Sequence, residues 1–150
     1  GEIIPVDGSV EENCIRGETT IDKLKGLKPA FVKPHGSHTA GNSSPLTDGA
    51  SACLIMGEDK AKELGYAPKS FLKSWNFVSV DPFEEMLLGP AYAIGKILRD
   101  NKLTLNDIDV FEIHEAFAGQ VLSNLAALDS DEWCKANLGM DRIGRVPAEK

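Results

Sequence analysis

Three stretches of this 150-residue chain carry residue types that could do chemistry. The first is His114-Glu115-Ala116-Phe117, directly after the run Asp109–Ile113 and ahead of an amphipathic helical pattern. In an open α/β sheet, ligands collect at the carboxyl ends of strands. The first turn of a helix also presents the positive end of its dipole. An imidazole there can donate a hydrogen bond to a developing oxyanion, or hold a water that does so. Glu115, in an expected first turn, could equally offset the dipole. The second stretch, Thr39 to Ala50, is rich in Gly, Ser, Thr and Asn. Small residues let a backbone approach a ligand closely, and hydroxyls offer hydrogen bonds. The same composition suits an elaborate turn entering a strand, and the residues alone leave both readings open. The third is Asp81 to Pro90, where Met86-Leu87-Leu88 lead into Gly89-Pro90. That patch reads as an apolar slot or as ordinary core.

The remaining titratable candidates are weaker. His35 and His38 lie in a Gly- and Pro-containing loop, with no Cys, Asp or Glu at metal-ligand spacing. A solvated pair is the simpler reading, and no metal is expected. The three cysteines, Cys14, Cys53 and Cys134, are odd in number and widely spaced. They suggest a reducing compartment rather than a disulfide framework. Cys53 is expected to be a buried, inert thiol inside the run Ala50–Met56, while the polar, Gly-flanked stretch around Cys14 is compatible with exposure.

The elements that must position these residues follow from periodicity. Helices are predicted over about 19–26, capped by Thr19 or Thr20, over 58–64, from Gly89-Pro90 to Asn101, over about 116–128, and over 129–138. In the fourth, Val121, Leu125 and Leu128 recur at helical spacing. Strands are predicted over 50–56, 70–80 and 107–113. The alternation implies an α/β class. The boundaries suggested by composition fall near Asp48 and near Tyr66–Lys69. No run of about 18 apolar residues suggests a membrane span. A net charge of -7 argues against a nucleic-acid partner, since such binding relies on basic patches.

Taken together and in order, these segments resemble the thiolases, most closely the β-subunit branch of the trifunctional enzyme. The resemblance rests on Leu27–Phe31, Thr39–Ala50, Val80–Pro82, Met86–Pro90, Leu103–Asp109 and His114–Phe117. Most thiolases carry Asn-Glu-Ala-Phe at the last motif, so His114 looks like the trifunctional branch, as does Leu128–Trp133. The resemblance implies a layered α-β-α-β-α thiolase-like fold, present here as a partial set of strands and helices. Residues 1–48 would end the loop domain, 49–66 would close the N-terminal half and 67–150 would open the C-terminal half.

The activity implied is thiolytic cleavage of a 3-ketoacyl-CoA by CoA, giving acetyl-CoA and a shortened acyl-CoA. CoA is then a co-substrate, with no covalently bound cofactor. By resemblance, His114 holds an oxyanion-hole water. Ser44, Met86 and Phe117 contact or line the way of the pantetheine arm, Phe31 lies near the adenine end, and Glu115 supports the site. The implied partners are acyl-CoA, CoA, a second copy of the full-length chain and an α-subunit with hydratase and dehydrogenase activities. The implied place is the matrix face of the mitochondrial inner membrane, or the cytoplasm for a bacterial source.

The departures matter as much. The chain has no Gly-His-Pro and no Cys-x-Gly, and its cysteines match neither catalytic cysteine of the family. It therefore looks like an internal fragment, expected to be inactive alone. The competing reading is a non-catalytic CoA-binding or assembly module. A hydrolase using His114 and Glu115 lacks a nucleophile elbow. A sterol-carrier-like or biosynthetic thiolase is disfavoured by His114.

Overall fold

A computed structural model describes residues 3–12 and 14–150. The chain divides into two compact units, Gly1–Gly49 and Ala50–Lys150.

The first unit is mostly loop. Asp7 and Gly8 both have positive φ, and this Asp-Gly turn closes an antiparallel bridge between Val6 and Ser9. Asp-Gly is the pair such tight reversals select. Helix α1 spans Ile21–Lys25, and Thr20 is its cap: the hydroxyl oxygen accepts from the Lys23 N–H at 3.3 Å. Thr19 instead donates its hydroxyl to the Arg16 carbonyl. At Gly41 a Cβ would collide with the Leu24 and Leu27 side chains, so only glycine lets the 39–43 turn lie against α1.

The second unit is built on helices. They are α2 (Glu58–Glu63), α3 (Gly89–Asp100), α4 (Ala118–Leu128) and α5 (Asp131–Leu138), with a 3-10 turn at Leu105–Asp107. Helices α3, α4 and α5 pack on one another. Ala91, Ala127 and Leu128 form the centre, with Ile94, Trp133, Ile143 and Val146 against them. Cys134 and Leu138 complete the buried side of α5. Ser130 caps α5 by accepting from the Trp133 N–H, and Gly139 ends it at φ 65. Thr104 and Asp107 form a reciprocal capping box around the 3-10 turn.

Three expectations are corrected. The segments 50–56, 70–80 and 107–113 form no sheet ladder among the described residues; Asp107 belongs to the 3-10 turn. A strand needs a partner for its backbone groups, and propensity alone supplies none. Over 74–80 the alternation survives as a two-sided segment. Ser74, Asn76, Val78 and Val80 are half-buried, while Trp75 and Phe77 face outward. Asn76 donates to the Ala93 carbonyl, and Asn101 donates to the Ser74 hydroxyl oxygen. Cys53 is exposed rather than buried, because its run has no layer to bury it; Cys14 is half-buried. Helix α4 turns Gln120, Asn124, Ala127 and Leu128 inward, leaving Val121 and Leu125 only half-buried. Its buried face carries two amides where the hydrophobic pattern predicted an apolar stripe.

Candidate functional site

His114 and Glu115 are exposed, and helix α4 starts later than predicted. Phe117 is its cap residue, with extended backbone (φ -145, ψ 136). Both His114 and Glu115 therefore precede the helix, and Glu115 does not lie in the first turn. The His114 ring has no hydrogen-bond partner among the described residues, so both ring nitrogens are open to a ligand or water. Phe117 is half-buried, and no acidic residue occupies the first turn of α4. The positive end of this helix is left uncompensated from within.

Met86 is 67% exposed. Its loop is held from several sides. Asp81 accepts from the Phe83 N–H at 2.7 Å, and its carbonyl accepts from the Glu85 N–H. The Tyr92 hydroxyl lies 2.8 Å from both oxygens of Glu85. Burial, and then the Glu85 carboxylate, push the Tyr92 pKa up to about 12. Tyr92 also meets Trp133 edge-on, with ring centroids 4.9 Å apart. On the other side, Asn124 donates to the Leu87 carbonyl at 2.8 Å. The sequence pattern alone does not single out Asn124 or Tyr92. The available signal was an amide seven residues after Phe117, on the face expected to be apolar.

In the first unit, Ser44 is exposed and its hydroxyl is 3.5 Å from the Pro45 carbonyl. The loop before it is organised by Asn42. Asn42 accepts from the Thr39 N–H at 2.8 Å and donates to the Ser37 carbonyl at 2.9 Å. Phe31 is exposed and makes an edge contact with His38. His35 is exposed as well.

Neither Cys14 nor Cys134 is set up as a nucleophile. Burial and the Glu12 carboxylate push the Cys14 thiol up, away from the thiolate. Cys134 is fully buried and its sulfur lies against the Ala127 and Leu128 carbonyls. A cleft of about 590 Å³ lies against Phe111, Ile113, Glu115, Val121, Leu125 and Val146. His114 and Met86 are not part of its wall.

Residues 1–59 match the family model for the thiolase N-terminal domain. Residues 66–142, just over half of the chain, match the one for the thiolase C-terminal domain. The chain belongs to the thiolase family. It is 57% identical over 141 residues to a probable 3-ketoacyl-CoA thiolase of Caenorhabditis elegans, covering 93% of this chain and 31% of that protein. It is 52% identical over 145 residues to the mitochondrial trifunctional enzyme subunit beta of Bos taurus, covering 96% and 30%. Among solved structures, human mitochondrial 3-ketoacyl-CoA thiolase in complex with CoA aligns with a TM-score of 0.71 at 33% identity, over 89% of this chain and 32% of that one. The dimeric peroxisomal thiolase of Saccharomyces cerevisiae aligns with a TM-score of 0.66 at 36% identity, over 88% and 31%. This thiolase chain thus spans about 30% of the length of the curated relatives it matches. The thiolase-like α/β fold is borne out, in the part that this chain covers.

Proposed function

We propose that this thiolase chain serves a 3-ketoacyl-CoA thiolase of fatty-acid β-oxidation, an acetyl-CoA C-acyltransferase. The reaction cleaves a 3-ketoacyl-CoA with CoA to acetyl-CoA and a shortened acyl-CoA. The observation that carries the reading is His114-Glu115-Ala116-Phe117, exposed and unpartnered at His114, at the entrance to α4. In this reading His114 donates, directly or through a water, to the thioester oxygen as negative charge develops there. A neutral imidazole has one N–H for this and needs no proton transfer to use it. Met86 and Phe117 line the pantetheine arm in the second unit. Ser44 contacts that arm in the first, with Phe31 toward the adenine end. Glu115 supports the motif from beside His114.

Residues 1–48 end the loop domain in this reading, 49–66 close the N-terminal half and 67–150 open the C-terminal half. The acyl-enzyme step needs an activated cysteine. The state of Cys14 and Cys134 supports placing that step on residues other than these. The reading extends to a homodimer, to an α-subunit carrying hydratase and dehydrogenase activities, and to the matrix face of the mitochondrial inner membrane.

The test is a thiolase in which this chain replaces the matching stretch of the Caenorhabditis elegans relative. Acetoacetyl-CoA thiolysis is followed by loss of the enolate absorbance. Turnover by the chimera, with none by the 150-residue chain alone, is expected. A folded chimera without turnover overturns the reading. Two features favour a second reading, a CoA-binding or assembly module: the unactivated Cys14 and the outward Trp75 and Phe77. Calorimetric titration of the chain alone with CoA separates the two, since heat of tight binding appears only in the second.

A further inference from the structure

Helix α3 begins with help from a distant side chain. The first N–H groups of a helix lack partners in the preceding turn. Leu88, at the cap position, has no polar side chain to offer, and Pro90 has no N–H. The Ala91 N–H is met from elsewhere: Asn124 Oδ1 accepts from it at 2.8 Å, across 33 residues. Leu88 shares this N–H through its carbonyl at 3.0 Å. The amide nitrogen of Asn124 donates at 2.8 Å to the Leu87 carbonyl and at 2.8 Å to the Gln120 carbonyl. The side chain is fully buried, so no solvent can stand in for any of these bonds.

One amide thus joins the peptide that follows Met86, the start of α3 and the body of α4. Phe117, at the cap position of α4, lies seven residues before Asn124, about two turns of helix. We propose that Asn124 is a positioning residue for the CoA channel: it fixes the Met86 segment against the helix that Phe117 begins, and thereby sets the width available to the pantetheine arm. This rests on the channel reading of Met86 and Phe117 given above. Asn124 does not touch CoA; it acts through the Leu87 carbonyl.

The experiment uses the chimeric thiolase and the substitution Asn124→Asp. Aspartate keeps an oxygen for the Ala91 N–H and turns its second oxygen on the Leu87 carbonyl, where a donor stood. The Gln120 carbonyl loses its donor too, but only the Leu87 bond reaches the Met86 segment; the KM for CoA is expected to rise about tenfold, the scale of that one lost buried hydrogen bond, with kcat within about threefold of the parent. In a Met86→Ala background the same substitution is expected to add less than about twofold, because two residues acting through one contact are not additive. An equal rise in both backgrounds, or a fall in kcat at unchanged KM, overturns the positioning role while the channel reading stands. An unchanged KM for CoA in Met86→Ala alone overturns the channel reading, and the positioning role with it. If the aspartate variant does not fold, Asn124→Gln keeps both polar groups one methylene further out. It is read by the same comparison of backgrounds.

Discussion

Replacing Gly95 with alanine sets two effects of known size against each other. Gly95 lies in the interior of α3, where alanine normally gains about 0.5–1 kcal/mol over glycine by restricting the unfolded chain and favouring the helix. Here a Cβ would stand 2.5 Å from Leu138 Cδ1 and 3.2 Å from Ile143 Cδ1. Leu138 is buried on α5, so its methyl group cannot swing into solvent. Forcing one carbon into such a packed contact costs about 1–3 kcal/mol. The clash exceeds the propensity gain, and the net loss is about 1 kcal/mol, or about 2–4 °C in Tm for a chain of this size. The assay is thermal and urea unfolding followed by helical circular dichroism, with Gly89→Ala as the control. Gly89 opens the same helix and has nothing within 4 Å of its would-be Cβ. A Gly95→Ala variant as stable as the parent, or more so, while Gly89→Ala stays neutral, refutes the close packing of α3 on α5.

Three further outcomes are expected. In the chimeric thiolase, His114→Ala lowers kcat for thiolysis about 10²–10³-fold, the scale of one lost oxyanion donor, whereas His114→Asn keeps a donor and stays within about tenfold. Steady-state kinetics of the two variants check this, and equal losses would remove the donor role. Ser130→Ala lowers stability by about 1 kcal/mol through loss of the α5 cap, measured by urea unfolding. Tyr92 holds its proton longer in the folded state than in the unfolded one. Its stabilising effect is therefore present below the ordinary tyrosine pKa of about 10 and is lost as pH rises through about 12. The stability gap between the parent and Tyr92→Phe should accordingly close across that window, and a gap independent of pH would refute the coupling to Glu85.

The helices were legible because their signals are local. Thr20 sits at a cap, Gly89-Pro90 opens α3, and Gly139 ends α5 with positive φ. The strands were not. The alternation over 70–80 correctly separates Ser74, Asn76 and Val78 from Trp75 and Phe77, yet periodicity carries no information about which backbone will complete a ladder. The site motif was visible as a string of letters, but its placement was not. Phe117 adopts extended backbone, so the helix begins two residues late and sets His114 and Glu115 further from its first turn. Asn124 was hidden for a related reason. A polar residue on a helix face looks like a flaw in the stripe until the N–H it serves, that of Ala91, is found on another element.

That long-range cap also bears on the order in which the chain is made. The N-terminal turn of α3 emerges from the ribosome 33 residues before the side chain that closes it. Until α4 appears, the stretch around Leu87–Ala91 has a helix start without its stopper and frays at that end. Amide exchange on a chain released just before Asn124 is expected to find this turn unprotected. Synthesis thus reaches the proposed channel wall early and finishes it late.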